Sequence, residues 1–205
     1  MKISRISHTE VDLCRVQPRE WVKQRLSPQS TFRKIGYNQT LLGGIYKFHK
    51  SQSASIARDH LQQLLANRDF KDLDRVHLLE QDLEKYIEWY NKSDSASADH
   101  RIRLKYKVGF LELRGEIGRV DVLIQGGYRA ILLGEPRKNW QRELRMPLLQ
   151  LAVADKYSAP VDEFEVGVQE LDGSGLVTIG FSKKELDKAK DEFRKLGQKV
   201  QQLAP

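Results

Sequence analysis

Cysteine is nearly absent from this chain, since Cys14 is the only one among 205 residues. A single cysteine excludes an internal disulfide, a four-cysteine iron–sulfur cluster and a multi-cysteine zinc site. The sequence also lacks an apolar run near the roughly 20 residues that cross a bilayer, and its first residues lack the apolar core of a signal peptide. With 40% hydrophobic and 31% charged residues, the chain is predicted to be globular and cytoplasmic, with no membrane partner.

Internal repeats, low-complexity tracts and the nucleotide-binding pattern G-x-x-x-x-G-K-[ST] are absent as well. The length suits one domain with a real hydrophobic core. We therefore predict a single domain over residues 1–205, with a mainly helical part in 1–90 and a sheet-containing core in 101–205. The small, polar residues 91–100 between them are predicted to form a surface loop.

Acidic residues are scarce in the N-terminal quarter of the chain. Residues 1–50 contain ten Lys and Arg but only three Asp and Glu, so this segment carries the whole net charge of +7. Such asymmetry predicts a polyanionic partner that is contacted mainly through this N-terminal quarter. A basic surface that serves only solubility is the alternative, and charge alone does not separate the two.

Hydrophobic periodicity predicts helices before residue 91 and a mixture of strands and helices after residue 100. Helical spacing covers 8–26 with a break at Pro18, then 53–66, 73–90 and 140–157, and Ser182 with Glu185 forms a capping box that opens a final helix. Strands are predicted over 101–110, 111–125, 128–133, 161–171 and 176–181. This order predicts an α/β fold with a mixed central sheet flanked by helices and an N-terminal helical part.

The strand at 101–110 alternates between two kinds of side chain. Its apolar positions point one way, whereas four cations point the other: Arg101, Arg103, Lys105 and Lys107. This is the pattern of a half-buried strand with a basic outer face. Protection of a sheet edge by cations and binding of phosphate both explain the row.

Two carboxylates flank the predicted hairpin at Gly126-Gly127. A two-residue turn pairs Asp121 with Leu132 and sends Glu135 to the opposite face, whereas a three-residue loop pairs Asp121 with Leu133 and brings Glu135 to the same face. Neighbouring carboxylates repel each other unless a proton or a cation intervenes, and such oxygen ligands suit Mg²⁺ or Mn²⁺. The alternatives are an ion pair of Asp121 with Arg119 and a solvated Glu135.

Four motifs in order resemble the RecB-like branch of the PD-(D/E)XK nuclease superfamily. The opening helix of the family resembles the segment from Ile6 to Cys14 followed by Pro18-Arg-Glu-Trp21, and its glycine-then-histidine motif resembles Gly43-Gly-Ile-Tyr-Lys-Phe-His49. Its "G-x-(I/V)-D … (D/E)-x-K" pair resembles Gly115-Glu-Ile-Gly-Arg-Val-Asp121 followed by Glu135. Its following helix, which carries a glutamine, resembles Arg145-Met-Pro-Leu-Leu-Gln150.

The resemblance implies a restriction-endonuclease-like fold and a metal-dependent nuclease that cuts DNA or RNA, alone or within a defence, repair or mobile-element complex. Asp121 and Glu135 would hold Mg²⁺ or Mn²⁺, and His49 would complete the metal shell. Gln150 would contact substrate or orient the site. Arg137 or Lys138 would fill the basic position; an arginine there could only bind charge, whereas a lysine could also orient water. With one cysteine, the chain is similar to the relatives that lack an iron–sulfur cluster.

The sequence also departs from the family pattern. Arg137 follows a proline at the lysine position, and Ala154 stands where the family has a tyrosine. The alternative hypothesis is therefore a catalytically inactive nuclease-fold subunit that binds nucleic acid or scaffolds a complex, and a third is a basic adaptor that docks a protein partner. The predicted nucleic-acid contacts are Arg15, Arg19, Arg33, Lys34, Lys47, Arg142 and Arg145.

Overall fold

One mixed six-stranded sheet organises the computed structural model, which describes residues 3–27, 36–67, 70 and 72–204. Its strands are β1 (Arg5–Ser7), β2 (Ser95–Val108), β3 (Leu111–Leu123), β4 (Tyr128–Leu133), β5 (Phe164–Gln169) and β6 (Val177–Ile179). The order is β1-β3-β4-β5-β6, and β2 pairs with the other side of β3. The pairs β1–β3 and β4–β5 are parallel and the others are antiparallel.

Seven α-helices occur among the described residues. They are α1 (Val11–Val16), α2 (Pro18–Leu26), α3 (Tyr37–Ser51), α4 (Ala54–Ala66), α5 (Leu73–Asn91), α6 (Arg145–Tyr157) and α7 (Lys183–Leu203). Pro18 occupies the first turn of α2, where its missing N–H costs nothing, and the Ser182–Glu185 capping box opens α7. The predicted α/β class with a mixed sheet and an N-terminal helical part is confirmed. Within the described ranges, no helix has both the length and the apolarity to cross a membrane.

Two clusters of buried apolar side chains hold these elements together. The larger one packs α1, α2, α6 and α7 against one face of the sheet, through residues such as Ile102, Leu113 and Phe193. The smaller one lies between α3, α4 and α5, around Ile45 and Leu83. Helices therefore cover one face of the sheet along β2 and β3, while α3 and α5 pack on the opposite face around His100, Arg119 and Leu133.

The sequence did not reveal α3, and it assigned the start of β2 to a loop. Two adjacent glycines weaken helix propensity in the middle of α3, yet they permit close packing: a Cβ on Gly43 would lie 2.6 Å from Leu64 Cδ1, and one on Gly44 would lie 3.3 Å from Leu83 Cδ2. The predicted surface loop over 91–100 is wrong from Ser95 onward, because this polar segment extends β2 and pairs with Val120–Leu123.

Both predicted registers of the β3–β4 hairpin are wrong. Asp121 pairs with Arg129, and the Leu123 amide donates to the Gly127 carbonyl at 3.1 Å, so the loop comprises residues 124–126. Gly126 has a φ of 93°, the left-handed conformation that ends three-residue hairpin loops and that glycine adopts without strain. Asp121 therefore lies near the hairpin loop, while Glu135 lies beyond the opposite end of β4.

Candidate nucleic-acid interface

Asp121 lies inside the protein and forms an ion pair with Arg119. Neither side chain has any exposed surface, and the Arg119 Nε lies 2.7 Å from Asp121 Oδ1 and donates to Oδ2 at 2.9 Å. Alternate residues of a strand share a face, so the spacing of these two residues along β3 produces the contact. The ion pair that the sequence offered as an alternative to metal binding is present.

Arg119 is enclosed by aromatic and polar side chains. Its guanidinium donates to Tyr86 Oη and, at 3.0 Å, to Gln169 Oε1. Its Cζ lies 5.2 Å from the ring centroid of Trp89 and 5.5 Å from that of Tyr90, within the range of cation–π attraction. The charge of Arg119 is thus neutralised by Asp121, and each of its three nitrogens donates to a buried acceptor, as a buried cation requires.

The protonation states in this cluster follow from burial and from the guanidinium. Burial alone would lower the pKa of Arg119, but the interactions of the guanidinium with the Tyr86 hydroxyl and with the negative charge of Asp121 outweigh it, and the net shift is upward. Burial raises the pKa of Tyr86, which keeps the phenol neutral. We refer to Arg119, Asp121, Tyr86, Gln169 and His49 as the buried cluster.

His49 joins the buried cluster from α3. Its Nε2 lies 2.8 Å from Tyr86 Oη, and the side chain is buried against Tyr90 and Phe48. Burial, followed by the charges of Arg119 and His100, lowers the pKa of His49 from 6.5 to about 3. The ring is therefore neutral at pH 7 and takes part in a hydrogen bond within the protein.

Glu135 lies apart from Asp121, on the surface. Asp121 pairs with Arg129 of β4. Leu133, the last residue of β4, lies four residues beyond Arg129, which is roughly 13 Å along the strand. Glu135 is two residues farther on. It lines a cleft of about 310 Å³ together with His8, Glu116, Arg137 and Arg145. We call this the carboxylate cleft.

The carboxylate cleft contains charges of both signs. Glu116 forms an ion pair with Arg101 at 3.6 Å, and Glu143 pairs with Arg145 at 2.5 Å and with Arg137 at 3.9 Å. Burial, and next the positive charges of Arg145 and Arg137, lower the pKa of His8 from 6.5 to about 4. Lys138 is exposed and, unlike Arg137, is not among the lining residues of the cleft.

Gln150 joins two connections of the fold instead of facing the carboxylate cleft. Its side chain is buried, its Nε2 donates to the Val161 carbonyl at 2.9 Å, and its Oε1 accepts from the Phe181 amide at 2.9 Å. These two bonds tie α6 to the segments before β5 and after β6.

The residues predicted to contact nucleic acid lie in several places. Arg145 lines the carboxylate cleft, Lys47 lines a neighbouring cleft, and Arg15 pairs with Glu192 of α7 at 2.6 Å. Arg19 and Arg142 are exposed. The predicted contacts Arg33 and Lys34 lie outside the described residues.

The neighbouring cleft is basic. It has a volume of about 340 Å³ and shares Tyr46 with the carboxylate cleft. Its lining includes five basic residues and no Asp or Glu: Lys47, Lys50, His60, His100 and Arg101. This basic cleft is a place where a phosphate group would meet cations from α3 and β2.

A larger basic surface covers the part of the sheet that α3 and α5 leave open. Cross-strand partners place Arg103 beside Glu116, Lys105 beside Arg114, and Lys107 beside Glu112, with Arg5 of β1 on the other side of Glu112. We call this surface the open face; its charged residues are Arg5, Arg101, Arg103, Lys105, Lys107, Glu112, Arg114 and Glu116. Sequence alternation revealed the row on β2, but only strand pairing adds Arg5 and Arg114.

The side chains assigned to Mg²⁺ or Mn²⁺ do not fit such an ion. Asp121 is engaged by Arg119 in the core, His49 by Tyr86, and Glu135 lies at the surface beyond the far end of β4. A catalytic ion needs positions left open for water and phosphate, which a carboxylate without exposed surface does not provide. Among the residues the structure describes, no three His, Cys, Asp or Glu side chains cluster in a way that could hold a metal ion.

Comparisons with known proteins extend the fold assignment but not the assignment of the site. No family model matches the chain, and no curated protein matches it. The solved structure of a protein from Eubacterium rectale named "Putative exonuclease" superposes with a TM-score of 0.51 at 7% identity, covering 98% of this chain and 80% of that one. The structure of SSO0001 covers 90% and 84% at 10% identity, with a TM-score of only 0.34. The chain is thus similar in fold to an exonuclease-named protein.

Proposed function

We propose that this chain binds nucleic acid through a nuclease-like fold without hydrolysing it, and that Asp121 is a core residue instead of a catalytic one. One observation carries this proposal: the Asp121 carboxylate has no exposed surface and is neutralised by Arg119. A phosphodiester and its metal ion could reach this carboxylate only if the buried cluster opened, and a separated buried ion pair is costly. The role of Asp121 is therefore to stabilise the core.

Two further features support nucleic acid as the partner. The chain carries a net charge of +7, and its described cations form the basic cleft and the open face. The fold resembles that of a protein named for exonuclease activity, so a polynucleotide fits both the charge and the fold better than an acidic protein does. Binding through phosphates is predicted to be strongly salt-dependent.

The proposal is tested by titrating the protein into short labelled single- and double-stranded DNA and RNA in EDTA and following fluorescence anisotropy. We expect binding without metal, and an affinity that falls steeply as salt rises. No binding to any of the four probes at low salt would contradict the proposal. So would binding that requires a divalent ion.

A second candidate function is cleavage at the carboxylate cleft itself. The observation that favours it is that Glu116, Glu135 and His8 line one cleft, with Arg137 and Arg145 beside them. Mg²⁺ needs only one or two carboxylates when phosphate and water supply the remaining ligands. This function predicts Mg²⁺-dependent cutting that Glu116→Gln and Glu135→Gln each reduce, whereas the proposed function predicts intact nucleic acid in every sample.

A further inference from the structure

The open face is uncovered and carries more cations than it can neutralise. Arg101, Arg103, Lys105 and Lys107 are all exposed. Arg101, at the end nearest α3, lies 5.8 Å from the ring centroid of Tyr46. Its two acidic residues are already engaged: Glu112 with Arg114 at 2.5 Å and Arg5 at 4.0 Å, and Glu116 with Arg101 at 3.6 Å. Six cations against two carboxylates leave a charge of +4 on this surface.

Three of these cations form no ion pair within 4 Å in the part of the chain that the structure describes, although Lys105 is close enough to help lower the pKa of Glu112. They are the consecutive outward positions of β2: Arg103, Lys105 and Lys107. Alternate residues of a strand lie about 6.7 Å apart, and each strand of a duplex adds one phosphate per 3.4 Å of axis. The row therefore offers about one cation for every two phosphates of one strand.

The chemistry of the open face selects phosphate contacts over base contacts. Its strand residues are cationic, acidic or small. An aromatic neighbour, Tyr46 of α3, lies at the end beside the basic cleft, where it contacts Arg101 and Glu116. Proteins that hold single strands stack unpaired bases on aromatic rings, whereas duplex binding without sequence preference needs only cations that follow the backbone.

We propose that the open face is the binding surface for the sugar–phosphate backbone of a double-stranded nucleic acid, an inference that rests on the proposed function above. One backbone lies along Arg103, Lys105 and Lys107, with Arg5 and Arg114 flanking it. Arg101 continues the surface into the basic cleft, where a phosphate at the end of the track meets Lys47 and Lys50. Binding here is independent of sequence and of divalent metal.

The test compares two triple variants with the same change in charge. Arg103→Gln/Lys105→Gln/Lys107→Gln neutralises the open face, and Lys184→Gln/Lys188→Gln/Lys195→Gln neutralises exposed positions of α7, which covers the opposite face of the sheet. The probe is a short labelled duplex, DNA in one series and RNA in another, titrated in EDTA over a range of salt concentrations. Thermal melting confirms that both variants are folded.

We expect the open-face variant to bind duplex at least about tenfold more weakly than the wild type. The magnitude of the slope of log K against log salt should fall by about 2.7 for B-DNA, the value for three phosphate contacts. The α7 variant is expected to keep both values near those of the wild type. Equal losses in the two variants, or tighter binding of a single strand than of a duplex, would overturn this inference while leaving the proposed function intact. A wild type that binds no nucleic acid would overturn both.

The same pair of variants separates binding from protection of the β2 edge. If the cations only prevent strands of two molecules from pairing, the open-face variant self-associates at unchanged affinity for duplex. Light scattering of the free protein beside the titration distinguishes the outcomes: a monodisperse variant with weakened binding supports the inference, and an aggregating one with wild-type affinity overturns it.

Discussion

The two halves of β3 contain the same types of charged residue in opposite settings. Near the hairpin loop, Arg119 and Asp121 are buried beneath α5, whereas Glu112 and Arg114 lie on the open face beside the exposed cations of β2. The charges of the buried pair neutralise each other within the protein, whereas the cations of the exposed row outnumber the neighbouring carboxylates. The difference shows that a helix packed over one half of a strand turns its charged residues into core residues, whereas the uncovered half keeps its charges available for binding.

The largest effect is expected from removing the cation of the buried cluster. Arg119→Ala leaves Asp121 as a buried charge without its partner, and the loss of such a partner costs about 3–5 kcal/mol. Urea unfolding followed by circular dichroism would measure this change in the free energy of unfolding. A cost below about 1 kcal/mol, the range typical of exposed ion pairs, would contradict the account of this region.

Acid is expected to weaken the region around the buried cluster. The pKa of His49 is lowered to about 3 and that of His8 to about 4, while both approach 6.5 in the unfolded chain. Between these values the unfolded state binds more protons, so stability falls as the pH falls, by about 1.4 kcal/mol per pH unit for each histidine. The loss begins near pH 6.5 and continues to about pH 4 for His8 and about pH 3 for His49.

The measurement is urea unfolding at a series of pH values, for the wild type and for His49→Gln. Between pH 6.5 and pH 4, the free energy of unfolding of the variant is expected to fall less steeply than that of the wild type, by about 1.4 kcal/mol per pH unit. If wild type and variant show the same dependence on pH, His49 is not buried in the neutral form.

A smaller effect is expected where the buried and open halves of β3 meet. A Cβ on Gly118 would lie 2.6 Å from Leu133 Cγ, so Gly118→Ala forces Leu133 to move, and overpacking of this kind costs roughly 1–3 kcal/mol. Gly180→Ala is the matched control, because its Cβ would meet nothing closer than 3.9 Å. Equal stability of the two variants in urea would contradict the close packing of β3 on β4.

The smallest effect on stability is expected on the open face itself. Lys105→Gln should change the free energy of unfolding by less than about 0.5 kcal/mol, as exposed substitutions usually do. Its slope of log K against log salt for duplex DNA should nevertheless fall by about 0.9, the value for one phosphate contact. A clear loss of stability with an unchanged salt slope would mean that Lys105 stabilises the fold and does not bind phosphate, which would contradict the account of the open face.

Sequence patterns predicted the elements with strong local signals. Proline at the start of α2, the capping box of α7 and the alternation along β2 each act within a few residues, so they can be read without the fold. Helix α3 was missed because its glycines are explained only by Leu64 and Leu83 of other helices.

The site depended on information that local patterns lack. The spacing of Arg119 and Asp121 offered the ion pair that the structure contains, but the choice between that pair and a metal ligand depended on the hairpin register. A glycine pair is compatible with several loops, and the observed loop at 124–126 separates Asp121 from Glu135. Tyr86 and Gln169 complete the buried cluster, but they are 33 and 50 residues from Arg119 in the sequence. No local pattern connects residues so far apart.

The measurement that tests the central claim most directly is the fate of a labelled duplex bound by saturating wild-type protein with Mg²⁺ or Mn²⁺, analysed on a denaturing gel beside Asp121→Asn. Both proteins are first shown to be folded at the assay temperature, because the substitution alters the buried cluster. The account predicts that the duplex is bound and remains intact in both samples. Metal-dependent cutting by the wild type that the folded Asp121→Asn variant has lost would contradict it.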